Sequence, residues 1–193
     1  MTRPEGYGKF YPPEKVAKGL VSLATRRRLG QLRISGNEPT ICRDHLIRVL
    51  ESIPKDYLFI LETNGILIGG DETYAEALSR FPHLHVRVSL KGTCEEEFSS
   101  LTGAIPEGFQ LQIKALEHLM KHKVNVHPAC MISFSSPKHI SALRKRLRSV
   151  NTAFENFEVE ELILYPSVEE RLKMLGVRYK TGYKPDRIPI EQA

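Results

Sequence analysis

The sequence predicts an α/β protein built on a parallel sheet that is covered by helices. Apolar segments of strand length alternate with segments whose apolar residues recur at helical spacing. The predicted strands begin near residues 31, 57, 84, 124 and 160. Each interval therefore has room for one strand–helix–strand crossover, which needs about 30 residues. Tyr57 to Leu61 is an uninterrupted apolar run, as is typical of a buried parallel strand.

Each predicted element rests on a local pattern. Pro12-Pro13-Glu14 opens a first helix, with proline in its first turn. The same reasoning predicts strands at 31–35, 57–61, 84–90, 124–133 and 160–165, and further helices at 43–53, 71–79, 94–101, 106–121, 137–150 and 167–175. The chain thus begins with a helix rather than a strand. If the first strand lies at the sheet edge, its unpaired backbone groups need another strand, a tail or a second chain.

Length and composition fit one domain with a tail. The chain has 193 residues, of which 41% are apolar and 26% are charged, as in ordinary globular proteins. We predict a domain over residues 1–179 and a polar, extended tail over residues 180–193.

The sequence shows neither an apolar run near the roughly 20 residues of a membrane helix nor a secretory signal, so we expect a cytoplasmic protein without a membrane partner.

Charge and cysteine usage exclude several classes of protein. The net charge of +5 includes basic clusters at Arg26 to Arg28 and at Arg144 to Arg148, without interleaved aromatic residues, so we predict solvated faces rather than a nucleic-acid interface. Cysteines at 42, 94 and 130 form neither a disulfide framework nor a local metal motif. His118 and His122 could chelate a metal, but without a third ligand nearby we favour surface histidines and predict no metal site.

Strand alternation collects polar residues on one face of the predicted sheet. Two interpretations remain open, because so many polar groups cannot be buried dry without partners. They pair with one another inside the protein, or they line a concavity filled by solvent or a ligand near the loop end of the strands, which we favour. The residues of this face are Arg33, Ser35, Glu62, His85, Arg87, Ser89, Lys91, Asn125 and His127.

Three motifs at the ends of predicted strands carry the candidate chemistry. Gly36 permits a sharp turn. Glu38 could hold an ammonium group and Lys91 a carboxylate, while Thr63 and Asn64 supply neutral donors and acceptors. A zwitterionic amino-acid ligand would suit this mixture of charges. The motifs are Ser35-Gly36-Asn37-Glu38-Pro39, Glu62-Thr63-Asn64-Gly65 and Ser89-Leu90-Lys91-Gly92.

Together these motifs resemble the radical S-adenosylmethionine (SAM) superfamily, particularly relatives of the pyruvate formate-lyase-activating enzyme, over about residues 8–175. The Ser35–Pro39 turn is similar to the Gly-Gly-Glu-Pro motif that recognises the amino group of SAM, with Asn37 replacing the second glycine. Leu61–Gly65 is similar to the Thr-Asn-Gly strand end beside the cofactor. Val88–Lys91 is similar to the Asp-Leu-Lys segment of activating enzymes, with Ser89 replacing the acid.

The resemblance implies a partial (β/α)6 barrel and SAM as the cofactor. It further implies the SAM-binding part of an iron–sulfur oxidoreductase that generates a 5′-deoxyadenosyl radical, with a protein substrate if the parent resembles a glycyl-radical-activating enzyme. The predicted cofactor contacts, which include His127 from the polar strand face, are Ser35, Gly36, Asn37, Glu38, Pro39, Glu62, Thr63, Asn64, Ser89, Lys91 and His127.

One feature of the family is missing from the sequence. Family members hold a [4Fe–4S] cluster on a Cys-x3-Cys-x2-Cys loop after their first strand, and the three cysteines here do not form that motif. Tyr7 to Pro12 is similar to the segment after that loop, so we expect a partial barrel that lacks the family's first strand and cluster loop, in keeping with the helical start of the chain. Three explanations remain open: a fragment, a natural truncation that binds SAM or another small molecule without redox chemistry, or cluster ligands from a partner chain. In each case we expect the chain alone to be inactive in radical formation.

Two other classes of function remain as alternatives. A degenerate barrel could serve as a non-catalytic binding module for a small molecule or a nucleic acid, and binding to a nucleic acid would weaken steeply with salt. An unrelated barrel enzyme could act on an acidic substrate through Arg87, Lys91 and His127, and would bind anions without selectivity for an adenosyl group.

Overall fold

A computed structural model describes residues 8–189. Five parallel strands form one open sheet in the order β1-β2-β3-β4-β5. This arrangement confirms the predicted α/β fold with an unclosed sheet of parallel strands. The strands are β1 (Gln31–Ile34), β2 (Leu58–Thr63), β3 (Leu84–Lys91), β4 (Asn125–Met131) and β5 (Glu158–Glu160).

Helices connect successive strands and pack on the apolar side of the sheet. α6 contacts β3 and β4, and α1 contacts β1 and α2. Phe59, Leu61 and Val86 are fully buried in this core. The helices are α1 (Pro13–Arg27), α2 (Arg43–Glu51), α3 (Ile66–Gly70), α4 (Glu72–Leu78), α5 (Glu95–Thr102), α6 (Glu107–Lys121), α7 (Pro137–Val150) and α8 (Pro166–Met174), with short 3-10 turns at Pro39–Ile41 and Thr152–Asn156.

Two elements differ from the sequence prediction. The last strand covers Glu158–Glu160 instead of residues 160–165. The apolar residues after Glu161 suggested a strand, but Ile163 forms an isolated parallel bridge with Tyr183. The helix α3 was not predicted, because it has five residues and two of them are glycines, which disfavour helices.

The C-terminal segment is extended and attached to the loops after β4 and β5. The backbone N–H of Lys180 donates to the Ser133 carbonyl at 2.6 Å. The backbone N–H of Tyr183 donates to the Leu162 carbonyl at 2.8 Å. Residues 190–193 of the predicted tail, and residues 1–7 at the other end of the chain, lie outside the described residues.

β1 lies at one edge of the sheet, with β2 as its one strand partner among residues 8–189. Its outer backbone groups are therefore available to another strand. On the neighbouring helix α1, Leu23 keeps 44% of its surface exposed. Within the described part of the chain, every helix is too short or too polar to cross a membrane.

Candidate cofactor site

A cavity of about 360 Å³ opens on the polar side of the sheet, at the carboxyl ends of the strands. Parallel α/β proteins bind their ligands at this end, and the volume falls within the range of small-molecule sites. The lining residues are Arg33, Gly36, Asn37, Glu62, Thr63, Asn64, Arg87, Ser89, Lys91 and Glu160. Seven predicted contacts are thus brought together: Gly36, Asn37, Glu62, Thr63, Asn64, Ser89 and Lys91.

The turn after β1 contributes two consecutive residues with left-handed backbone conformations. Gly36 has φ +90° and Asn37 has φ +45°. Glycine adopts this region without strain, and asparagine is among the few other residues that tolerate it. Asn37 can therefore replace a glycine at this position without loss of the turn, whose residues Gly36 and Asn37 line the cavity.

Glu38 ties this turn to the end of β2 and does not itself line the cavity. Its Oε1 accepts hydrogen bonds from the Thr40 backbone N–H at 3.1 Å, the Thr40 hydroxyl at 2.6 Å and the Thr63 hydroxyl at 2.7 Å. Its Oε2 accepts from the Asn64 backbone N–H at 2.7 Å. Because these four donors engage both oxygens, the carboxylate fixes two loops of the cavity relative to each other.

Gln112 joins the ends of β2 and β3, and sequence reasoning missed it. The residue is fully buried in α6, and its Nε2 donates to the Asn64 carbonyl at 2.6 Å and to the Ser89 carbonyl at 3.1 Å. The sequence feature that could have identified Gln112 is its position on the apolar face of α6, three residues after Phe109 and four before Leu116. Most buried polar groups are hydrogen-bonded, so an amide at this position points to polar backbone nearby.

Arg87 is the centre of the charged network on the floor of the cavity. Its Nη1 lies 3.0 Å from Glu62 Oε1, and its Nη2 lies 2.7 Å from Glu158 Oε1 and 2.7 Å from Glu160 Oε1. Although burial disfavours the charged form, the carboxylates of Glu158 and Glu160 raise the pKa of Arg87 above its ordinary value. Arg87 therefore stays cationic and neutralises part of this acidic cluster.

Lys91 and Arg33 complete the charge balance of the network. The ammonium of Lys91 donates to the Ser89 hydroxyl at 2.7 Å and lies 3.1 Å from Glu160 Oε2, while Arg33 pairs with Glu62. Burial tends to raise the pKa of Glu160, but the nearby charges of Lys91 and Arg87 hold it below its ordinary value. Three cations and three carboxylates thus face one another, and Lys91, whose side chain is 42% exposed, can still reach a ligand.

Both interpretations of the polar face therefore hold: the charges pair, and they line a cavity. The remaining predicted contacts do not line the cavity; they are Ser35, Pro39 and His127. His127 Nδ1 lies 2.6 Å from His85 Nε2, and its Nε2 lies 2.8 Å from Glu158 Oε2. It reaches the cavity only through the Glu158–Arg87 pair. Arg33, Arg87 and Glu160 line the cavity but were absent from the predicted contact set.

His118 in the last turn of α6 and His122 directly after the helix have structural partners. His118 is 8% exposed, so the predicted surface position is wrong, and its Nδ1 lies 2.9 Å from the Ile68 carbonyl. His122 is partly exposed and lies 2.9 Å from Glu72 Oε1. The Lys121 ammonium and His122 lower the pKa of the Glu72 carboxyl to about 2.

Comparison with known proteins identifies the family of the chain. A family model described as the radical SAM superfamily matches residues 1–158. The chain belongs to the radical SAM superfamily. A search of curated proteins found no match.

Solved structures of radical SAM proteins share the fold. One is anSMEcpe with bound AdoMet and a Cp18Cys peptide, with a TM-score of 0.61 and 23% identity over 83% of this chain and 45% of that one. Another is SuiB of Streptococcus suis bound to S-adenosylmethionine, with a TM-score of 0.62 and 14% identity over 95% of this chain and 48% of that one. This radical SAM chain thus spans about half the length of these neighbours.

The [4Fe–4S] cluster expected of the family does not fit the cysteines of the described residues. Cys130 is buried, its thiol donates to the Gly92 carbonyl at 3.2 Å, and burial raises its pKa to about 12. Cys42 is exposed before α2, and Cys94 lies beside Glu97 and His139. Since a cluster requires closely grouped thiolates, residues 8–189 offer it no ligand set.

Proposed function

We propose that the cavity binds SAM and that the chain is the SAM-binding part of a radical SAM enzyme. The observation that supports this function is the convergence of all three strand-end motifs on one cavity that is lined by both cations and carboxylates. Family membership supplies the identity of the ligand. The family's radical chemistry would then depend on a cluster whose ligands lie outside residues 8–189.

The charges of the cavity complement the amino-acid end of SAM. The exposed Lys91 ammonium can bind the ligand carboxylate, because it already accommodates one oxygen of Glu160 at 3.1 Å. The ligand ammonium finds acceptors at the Glu62 and Glu160 carboxylates and at backbone carbonyls of the Gly36–Asn37 turn, which line the same cavity. Asn64 uses its Oδ1 to accept from the Ile66 N–H at 2.9 Å, so its NH2 group remains for the ligand.

The structural neighbours include peptide complexes, among them SuiB bound to the precursor peptide SuiA. We extend the proposal to a peptide or protein substrate on this basis. A closer relation to glycyl-radical-activating enzymes rests on the Val88–Lys91 segment of the sequence alone and stays a prediction.

The nucleic-acid alternative is weakened by how the second basic cluster is used. Arg146 pairs with Glu95 at 2.8 Å, and Arg148 pairs with Glu155 at 3.3 Å. Arg144 donates to the Glu155 carbonyl at 2.8 Å and stacks over the Phe157 ring. These side chains serve the packing of α7 and the following turn, as cation–aromatic contacts commonly do.

Calorimetric titration of the purified chain with SAM tests the proposal. We expect binding to the wild type and affinity at least about 10-fold lower for Lys91→Met, a change worth about 1.4 kcal/mol. Lys114→Met is the matched control, because Lys114 is exposed on α6 and lies outside the cavity. We expect its affinity to stay within about twofold of the wild-type value.

Three results would argue against this function. One is a wild-type chain that does not bind SAM, and another is a Lys91→Met variant that binds SAM as tightly as the wild type. The third is a chain that binds DNA or RNA with a steep salt dependence but does not bind SAM. The last result would instead support the binding-module alternative.

A further inference from the structure

Three metal-ligating side chains meet outside the SAM cavity, in the loops that follow β3 and β4. Cys94 lies between β3 and α5, Glu97 is in the first turn of α5, and His139 is in the first turn of α7. One ligand atom from each lies within 4.8 Å of both others. None of the three lines the cavity described above.

The donor set suits a borderline divalent ion. Thiolate, imidazole and carboxylate are the three ligand types that Zn²⁺ takes in proteins, and three protein ligands leave a fourth position open. Bonds of about 2.0–2.3 Å in a tetrahedron place neighbouring ligand atoms roughly 3.3–3.6 Å apart. His139 Nδ1 and Glu97 Oε1 are 2.8 Å apart, so these two atoms would separate by about half an ångström to bind the same ion.

Glu97 is held so that one oxygen remains for the ion. Its Oε2 accepts from the Thr93 backbone N–H at 3.0 Å, the Thr93 hydroxyl at 2.7 Å and the Ser135 hydroxyl at 2.6 Å. Its Oε1 faces His139. Such hydrogen bonds to the distal oxygen are what orients a carboxylate ligand in metal sites.

The backbone around Cys94, Glu97 and His139 is equally constrained. Gly92 has φ +82°, and a Cβ there would lie 2.8 Å from Glu97 Cβ, so only glycine lets the chain pass so close to α5. On the other side, the His139 backbone N–H donates to the Ser136 hydroxyl at 3.2 Å, which fixes the start of α7. Two rigid helix starts therefore hold the ligands together.

Local charge favours a cation at this position. Glu95 pairs with Arg146 at 2.8 Å, whereas Glu96 lies beside the Cys94 thiol and His139. Burial raises the pKa of the Cys94 thiol, and a bound divalent ion would oppose this effect by stabilising the thiolate.

We propose that Cys94, Glu97 and His139 bind a divalent transition-metal ion, with Zn²⁺ the best match to their chemistry. This inference is independent of SAM binding. The sequence alone indicates no metal site here, because 45 positions separate Cys94 from His139 and no local spacing signals that they meet. The ligands come together only when β3 and β4 pair in parallel.

The test is metal binding by the purified, chelator-treated chain. Competition with a chromophoric chelator measures Zn²⁺ affinity, and Co²⁺ in place of Zn²⁺ reports thiolate ligation through a charge-transfer band in the near ultraviolet. We expect one Zn²⁺ per chain, the Co²⁺–thiolate band, and affinity lowered about 10-fold or more in Cys94→Ser and in His139→Gln. Cys42→Ser is the matched control, because Cys42 is exposed and outside the cluster.

Several outcomes would overturn the site. They are a wild-type chain that binds no Zn²⁺, a Co²⁺ complex without the thiolate band, or Zn²⁺ affinity that falls in Cys42→Ser but not in Cys94→Ser. The cobalt spectrum uses the unsubstituted chain, so the absence of the thiolate band would overturn the site even where a variant fails to fold.

Discussion

Arg87 and Glu62 face each other as register partners on β3 and β2, with Arg87 Nη1 3.0 Å from Glu62 Oε1. The same guanidinium spans β4 to reach Glu158 and Glu160 on β5, at 2.7 Å each. The buried Arg87 guanidinium thus connects β2 and β5, which lie on opposite sides of β3 in the strand order. Without it, three carboxylates would share one face of the sheet with only Arg33 and Lys91 to balance them.

We expect Arg87→Met to destabilise the fold strongly. The Arg87 side chain is only 9% exposed, and removal of one partner from a buried ionic network costs about 3–5 kcal/mol. Urea unfolding at neutral pH measures the loss in the free energy of unfolding. The deficit should shrink in acid, where protonation relieves the unpaired carboxylates.

Arg33→Met is the matched control for that experiment. Arg33 pairs with the same carboxylate, Glu62, but its side chain is 54% exposed. Exposed ion pairs contribute less than about 1 kcal/mol, so this variant should lose little stability. Equal losses in the two variants would contradict the central role assigned to Arg87.

The acid sensitivity of the fold should depend on Glu158. Hydrogen bonds from Arg87, with a further contribution from His127, lower the pKa of the Glu158 carboxyl to about 2 from an ordinary 4.5. The folded pKa is the lower one, so this stabilisation is fully present above about pH 4.5 and is lost as the pH falls towards 2.

Unfolding of wild type and Glu158→Gln across the acid range checks this dependence. The wild type should be more stable at neutral pH, and the gap between the two should narrow below about pH 4.5. A gap that stays constant down to about pH 2 would show that Glu158 ionisation does not contribute to stability.

The sequence predicted the first four strands well, because each has apolar residues at alternate positions, and β2 and β3 are nearly all apolar on their helix-facing side. The fifth was misplaced for a physical reason. Glu158-Val159-Glu160 looks polar, yet its two carboxylates are satisfied by Arg87, 71 and 73 positions away. Such pairing depends on the packing of distant strands, which local patterns do not encode.

The candidate site was likewise predicted only in part. Gly36, Asn64 and Lys91 were identified from motifs at strand ends, and all three line the cavity. Gln112 and Glu160 were missed, because one is in a helix and the other in the misplaced strand. That Glu38 holds a ligand ammonium stays a prediction, and the motif gave no sign of the hydrogen bonds by which Glu38 also connects the two loops.

We expect Glu38→Gln to loosen both loops of the cavity. The carboxylate accepts from the backbone N–H of Thr40 on one oxygen and from that of Asn64 on the other. An amide in either orientation places its own NH2 against one of these donors. Hydrogen bonds to charged groups contribute about 1.5–3 kcal/mol, so a loss of about 2 kcal/mol is expected in urea unfolding.

Glu14→Gln is the control, since Glu14 is exposed in the first turn of α1, remote from the cavity. It should change stability by less than about 0.5 kcal/mol. Under conditions where both variants are folded, SAM affinity should fall in Glu38→Gln alone, because Asn64 and the Gly36–Asn37 turn lose their common anchor. If Glu38→Gln reduces the free energy of unfolding but leaves SAM affinity unchanged, Glu38 stabilises the fold only. The turn after β1 would then not contribute to cofactor binding.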